Sequence, residues 1–160
     1  MQIESTRFGR VEIADDAVLT FPDGLIGLPG TRYALIAQTE SSVFLLLHSV
    51  DDPAVALPVA NPWLFFGNYE VEVSDEDAEK LHLEGPANAD ILCVVRASDR
   101  LEEFTVNLRG PLVVNGPERI GRQIINETGD FSVRQPLFSE TDLARVRPSA
   151  PAAPVAATGV

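Results

Sequence analysis

The stretch Val43-Phe-Leu-Leu-Leu-His-Ser-Val50, followed by Asp51-Asp52-Pro53, decides the fold. Its apolar run is continuous rather than alternating, which is typical of a central strand that is covered on both faces. The two aspartates and the proline end the run, because an aspartate side chain can cap its own backbone and proline fixes φ. Since Val55–Val59 is again typical of a strand, we expect a central strand, a turn and a second strand here.

The rest of the chain repeats this pattern of short strands broken by Gly, Pro, Asn and Asp. Further strands are predicted at Ile3–Phe8, Val11–Ala14, Val18–Phe21, Tyr33–Gln38, Tyr69–Val73, Asp90–Ala97, Phe104–Leu108, Leu112–Asn115 and Phe131–Phe138. Ser74–Leu83 is typical of a helix with Ser74 as its N-cap, whereas Arg119–Asn126 fits either a helix or a strand. Many short strands with one short helix predict an all-β, mainly antiparallel domain of barrel-like or sandwich-like architecture.

The length and the C-terminal composition predict one domain with a tail. The chain has 160 residues, which suits a single domain. Beyond about residue 145 the composition falls to Pro-Ser-Ala-Pro-Ala-Ala-Pro-Val-Ala-Ala-Thr-Gly-Val, which has little to bury. We therefore predict a folded domain over residues 1–145 and a disordered Ala/Pro-rich tail over residues 146–160.

The charge balance excludes several classes of function. Lys and Arg number 12 and Asp and Glu 24, so the net charge is −12, and all of the excess lies in residues 1–95. Direct binding of nucleic acid is disfavoured, because phosphate needs clustered positive charge. The N-terminus has no apolar signal region, and no apolar run approaches the roughly 18 residues of a membrane span. We expect a cytoplasmic protein that could attract a basic partner.

No group of residues predicts an active site. Cys93 lies among apolar neighbours, which favours a small buried hydrophobic residue over a nucleophile. The two histidines, His48 and His82, are too few for a three-histidine zinc site, and a single cysteine excludes an internal disulfide. Asp51 and Asp52 are adjacent, which places them poorly for sharing a proton and favours a turn. The sequence predicts no enzyme, no cofactor and no metal.

Four segments together resemble the flagellar assembly factor FliW family. They are Phe21-Pro-Asp-Gly-Leu-Ile-Gly-Leu-Pro-Gly30, Phe44-Leu-Leu-Leu-His-Ser-Val-Asp-Asp-Pro53, Thr105-Val-Asn-Leu-Arg-Gly-Pro-Leu-Val-Val-Asn115 and Ser132-Val-Arg-Gln-Pro-Leu137. The resemblance implies a small antiparallel β-barrel-like fold without enzymatic activity. It also implies two protein partners, the translational regulator CsrA, which is a small RNA-binding dimer, and flagellin.

The same resemblance implies the partner-binding residues. They are Asp51, Asp52, Pro53, Asn61, Pro62, Asn107, Asn115 and Arg134. The alternative for each is a structural role in turn capping or in hydrogen bonding at a strand end.

Two other functions remain open from the sequence. A β-barrel that binds a small ligand without catalysis would need an apolar cavity with a few convergent polar groups. A hydrolase would have to be built on Asp51 and Asp52. The resemblance favours the binding of proteins over both.

Overall fold

A computed structural model describes residues 1–28, 30–37, 43–85 and 88–138 of the chain. The strands are β1 (Gln2–Ser5), β2 (Gly9–Glu12), β3 (Val18–Thr20), β4 (Arg32–Ile36), β5 (Phe44–Ser49), β6 (Ala56–Ala60), β7 (Asp90–Arg96), β8 (Thr105–Val106), β9 (Leu112–Asn115), β10 (Ile120–Gln123) and β11 (Gln135–Pro136), and the α-helix is α1 (Asp75–Lys80). The predicted tail, residues 146–160, lies outside the described residues, so the domain boundary stays a prediction.

Seven of the strands close into a barrel. β3 to β7 form an antiparallel meander in chain order. β10 pairs with β3 in parallel, and β9 is antiparallel to both β10 and β7, which closes the ring. β8 extends β7 outside the ring, and β11 pairs with β8 as an edge strand. The predicted all-β, mainly antiparallel, barrel-like fold with one short helix is confirmed.

The barrel interior holds one apolar cluster. Its fully or nearly buried members come from six of the ring strands and from the loop after β3; they are Leu19, Phe21, Leu25, Tyr33, Leu47, Val59, Leu92, Leu112 and Val114. Because side chains alternate along a strand, the intervening residues face outwards. On β5 both faces are covered, because five of its six residues are buried. Leu46 and Leu47 are neighbours that face opposite sides, and both are buried. The sequence prediction of a central strand covered on both faces is therefore confirmed.

Three outer elements cover the barrel. The hairpin of β1 and β2 packs Ile3 against Ala34 of β4. The residue after α1, Leu81, packs against Val113 of β9. An aromatic-rich cluster around Phe104 covers the face formed by β5, β6 and β7. None of the helices in the described part is long and apolar enough to cross a membrane.

Gly121 on β10 permits close packing against Phe21 in the barrel. A Cβ atom at this position would lie 2.5, 2.9 and 3.0 Å from three carbons of the Phe21 ring. That ring has no exposed area and stands edge-on to Tyr33, with the ring centroids 5.9 Å apart. The barrel can therefore close over Phe21 only because residue 121 has no side chain.

Several strand predictions need correction and one ambiguity is resolved. Ile3–Phe8 ends at Ser5, and Phe104–Leu108 shortens to β8. Tyr69–Val73 is not a strand, because side chains satisfy its carbonyl groups: Trp63 Nε1 donates to Tyr69 O and Asn126 Nδ2 to Glu70 O, both at 2.8 Å. Phe131–Phe138 shortens to β11, an edge strand as Pro136 indicated. Arg119–Asn126 contains β10, so the strand alternative holds.

The helix prediction is confirmed at its start and is too long at its end. The Ser74 hydroxyl accepts from the Asp77 amide at 3.1 Å, which is the N-cap that the sequence predicted. The helix ends at Lys80, because His82 adopts φ of 56° and so turns the chain out of the helix.

Candidate functional site

The residues predicted to bind partners lie at both ends of the barrel. The turn with Asp51, Asp52 and Pro53 precedes β6, and Asn61 with Pro62 follows it. The five residues of β6 span about 17 Å at roughly 3.3 Å per residue. We call the end with the β5–β6 turn the turn end and the opposite one the open end. The predicted residues therefore do not form one continuous site.

At the turn end, hydrogen bonds hold the backbone of the β5–β6 turn, and the carboxylates of Asp51 and Asp52 face outwards. The Ser49 hydroxyl accepts from the amides of Asp51 and Asp52 at 3.2 and 2.9 Å. One carboxylate oxygen of Asp52 accepts from the Ala54 amide at 3.0 Å, and Pro53 O accepts from the Thr6 amide at 2.8 Å. The turn role predicted for the two aspartates is confirmed, and both side chains remain exposed.

A cleft opens beside this turn, and we call it the turn cleft. Its volume is about 270 Å³, and its lining residues are Gly30, Thr31, Tyr33, Ser49, Asp51, Asp52 and Val55. Tyr33 is fully buried, and its hydroxyl has no hydrogen-bond partner within the described residues. Burial raises the pKa of Tyr33 above its ordinary value, and the negative charge of Asp52 raises it further. The hydroxyl is therefore neutral at physiological pH.

Sequence reasoning missed Tyr33. The signal that could have found it is register: Tyr33 of β4 lies opposite Ser49 of β5, directly before the aspartate turn. A prediction of which residues pair between β4 and β5 would have placed the tyrosine beside Asp51 and Asp52.

The open end holds a larger and more apolar cavity, of about 480 Å³. Inward-facing residues form its wall; they are Leu19, Leu35, Leu45, Leu92 and Val114. Asp16, Asn61 and Asp90 add polar groups to the lining. Asn61 also has a structural role, because its side chain accepts from the Trp63 amide at 2.9 Å and starts the short 3-10 helix Pro62–Leu64.

Two of the other predicted residues make hydrogen bonds that hold the backbone. Asn107 Oδ1 accepts from the amides of Arg109 and Gly110 at 3.1 and 2.8 Å. Asn115 is 7% exposed; its Nδ2 donates to Leu81 O at 2.8 Å and to His82 O at 3.3 Å. These contacts match the structural alternative for both asparagines.

Arg134 differs from these asparagines because its side chain is exposed and makes no hydrogen bond or ion pair within the described part of the chain. Its amide donates to Ser132 Oγ at 3.0 Å. Among the described residues its guanidinium group is therefore left to solvent.

The chain has more acidic side chains than basic ones to pair with them. Among the described residues five basic side chains make ion pairs: Arg10 with Glu4, Arg32 with Asp51, Lys80 with Glu76, Arg100 with Glu102, and Arg122 with both Asp23 and Asp77. The chain has 24 acidic residues against 12 basic ones, so pairing one to one leaves half of the acids uncompensated. Such a surface attracts basic partners and repels phosphate.

Cys93 is fully buried, as the sequence predicted. Burial raises the pKa of its thiol from 9.0 to about 12, and burial also raises the pKa of Tyr69, whose hydroxyl lies 3.9 Å from Cys93 Sγ. A thiol with so high a pKa is not a nucleophile at neutral pH.

These raised pKa values predict a loss of stability in alkali. The unfolded chain loses the thiol proton near pH 9, whereas the native chain keeps it to about pH 12. The contribution of this thiol to the free energy of unfolding is therefore complete below about pH 9 and falls as the pH rises from there to about 12. Urea unfolding across this range measures the fall. In Cys93→Ala the slope should be smaller, and an equal slope would contradict the role of the thiol.

Comparison with known proteins reveals similarity along most of the chain. The family model described as FliW protein matches residues 2–137. The flagellar assembly factor FliW of Natranaerobius thermophilus is 34% identical over 142 residues, which cover 88% of this chain and 94% of that protein. The one of Magnetococcus marinus is 37% identical over 152 residues, covering 94% and 93%. The crystal structure of a flagellar assembly factor FliW matches with a TM-score of 0.78 at 26% identity, covering 88% of this chain and 99% of that one.

Proposed function

The chain belongs to the FliW family of flagellar assembly factors, and on this basis we propose that it acts by binding two proteins in turn, the translational regulator CsrA and flagellin. While flagellin is abundant in the cytoplasm, it occupies this protein, and CsrA is free to repress flagellin synthesis. Once flagellin is exported, the released protein binds CsrA and relieves the repression. The role needs neither catalysis nor a cofactor.

The observation that carries this proposal is the excess of acidic over basic residues. CsrA binds RNA, so it must present basic residues to phosphate. A protein with a net charge of −12 is attracted to such a surface from a distance. When it is docked beside the RNA-binding surface it repels phosphate, so it can lower RNA affinity without covering the RNA site. Direct binding of nucleic acid by this chain is not part of the proposal.

A calorimetric titration of the purified chain with CsrA from the same organism tests the proposal. We expect saturable binding that weakens as salt rises from about 0.15 M to about 1 M, because the screening length falls from about 8 Å to about 3 Å. Flagellin bound beforehand should abolish the heat. Absence of heat with folded CsrA at two well-separated temperatures would exclude the switch, and an affinity that salt does not change would exclude the electrostatic argument.

The cavity at the open end favours a second candidate function, the binding of a small ligand without catalysis. Its volume of about 480 Å³ lies in the range of ligand sites, roughly 300–1,000 Å³, and its wall is apolar. Decanol and decyltrimethylammonium are suitable probes, because a ligand that binds the native state raises the melting temperature. Leu45→Trp, which fills the cavity, is the control. If neither probe shifts the melting temperature, binding of a ligand with a linear alkyl chain at this cavity is excluded.

A further inference from the structure

The turn cleft is lined by a tyrosine whose hydroxyl has no hydrogen-bond partner within the described residues. Tyr33 Oη and His48 Nε2 are the buried side-chain atoms of the described residues without a hydrogen-bond partner. His48 Nδ1 donates to Ser49 O, whereas Tyr33 lines the turn cleft. More than about 90% of buried polar groups in proteins have a partner, and leaving one without costs stability. The oxygen of the Tyr33 hydroxyl is therefore free to accept a hydrogen bond from a group outside the described residues.

Phe21 holds the Tyr33 ring in place, and the glycine at residue 30 leaves no side chain beside the Tyr33 hydroxyl. The Tyr33 ring stands edge-on to Phe21 at an interplanar angle of 80°. A Cβ atom on Gly30 would lie 3.1 Å from Tyr33 Oη and 3.7 Å from Ser49 Oγ. Because residue 30 is glycine, no side chain stands at that position, although the hydroxyl itself is buried, so a group from outside reaches it only with a small shift of the surrounding chain.

The mouth of the cleft is acidic. Arg32 Nη2 pairs with Asp51 Oδ1 at 2.8 Å, and Asp52 Oδ1 accepts from the Ala54 amide at 3.0 Å. Each carboxylate therefore has a second oxygen without a hydrogen bond in the described part. The negative charge of Asp52 is close enough to act on the Tyr33 hydroxyl. A ligand for this cleft must donate hydrogen bonds to several acceptors at once and carry positive charge.

We propose that the turn cleft receives the guanidinium group of an arginine side chain from a protein partner. One face of the group donates to the Asp52 carboxylate, and an inner N–H donates to Tyr33 Oη. The planar guanidinium has five donors in a fixed fork, which suits several acceptors at different depths better than an ammonium group does. A cleft of about 270 Å³ accommodates one long side chain rather than a folded element. This proposal rests on the proposed function in one respect only, namely that the partner is a basic protein.

Titration of the full-length, isotope-labelled chain with N-acetyl-arginine amide tests the cleft without any partner. We expect saturable amide shifts at Gly30, Thr31 and Asp52, because these residues border the cleft. N-acetyl-citrulline amide has the same shape without charge and should produce no such shifts. N-acetyl-lysine amide should bind less tightly. Shifts elsewhere, equal shifts with citrulline, or equal affinity for lysine would overturn the proposal.

Three variants distinguish binding from stability. Tyr33→Phe removes only the hydroxyl, so we expect an unchanged or higher melting temperature together with about tenfold weaker binding of the arginine probe. Asp52→Asn keeps the oxygen that accepts from Ala54 and removes the charge, with a similar loss expected. Gly30→Ala should block the cleft. Asp99→Asn removes the same charge from an exposed position after β7 and is the matched control.

The same variants separate this proposal from the proposed function. If CsrA binds the native chain and binds Tyr33→Phe and Asp52→Asn equally well, the cleft is not the contact and the proposal is wrong, while the partner switch stands. If the arginine probe binds the cleft but CsrA does not bind the chain, the cleft stands and the partner switch fails.

Discussion

Replacement of Gly121 by alanine is expected to lower the free energy of unfolding by about 3 kcal/mol, because it overpacks the barrel. The new Cβ would lie 2.5 Å from Phe21 Cε1. The Phe21 ring has no room to move, since it is fully buried and its neighbour Tyr33 is fully buried too. β10 must therefore separate from β3 or the ring must leave its rotamer. Urea denaturation of the variant measures the loss.

Two further variants make this result specific. In Gly121→Ala with Phe21→Leu the smaller side chain relieves the overlap, so the double variant should be more stable than the sum of the two single losses predicts. Gly67→Ala is the control, because a Cβ there meets nothing within 4 Å. Additive losses in the double variant, or an equal loss at residue 67, would show that contact with Phe21 is not the cause.

Asn115→Ala is expected to lower the free energy of unfolding by about 2 kcal/mol, although the sequence placed Asn115 at a partner interface. The substitution leaves the carbonyls of Leu81 and His82 and the Glu118 amide without their side-chain partner. His82 is also in the left-handed region, where a residue with a Cβ is disfavoured without support from its surroundings. The chain after α1 should therefore detach from β9 first.

The comparison with Asn61→Ala decides between structure and interface. Asn61 is exposed and caps a short 3-10 helix, so its loss should cost about 1 kcal/mol. Unfolding in urea gives both values, and calorimetry with CsrA gives the binding of the folded variants. A stable Asn115→Ala chain that no longer binds CsrA would make Asn115 an interface residue and contradict its structural assignment.

The sequence predicted those elements whose causes are local. Continuous apolar residues made β5 central, and the Asp51–Pro53 turn and the Ser74 cap follow from chemistry within a few positions. Tyr69–Val73 was misassigned, because its alternating pattern is that of a strand while Trp63 and Asn126 bind its carbonyl groups. Asn126 is more than fifty residues away, and no local pattern reports such a contact.

The candidate site was less predictable for the same reason. Resemblance gave residues from several segments; the predicted strand Val55–Val59 already separates Asp52 from Asn61, but only the closed ring shows which other residues lie at each end. The turn cleft depends on Tyr33 meeting Ser49 across two strands and on the missing side chain of Gly30. Both are consequences of register, which a single sequence does not specify by composition or spacing.

The parallel pairing of β3 with β10 has a consequence for synthesis on the ribosome. The ring closes between Thr20 and Ile120, so about 100 residues must be translated after β3 before its partner exists. At roughly 5–20 residues per second, this delay lasts about 5–20 s. During that time the free edge of β3 is a template on which nascent chains can pair and aggregate. β3 has only three residues, which makes it a poor template, and we expect its brevity to protect the emerging chain until the ring can close.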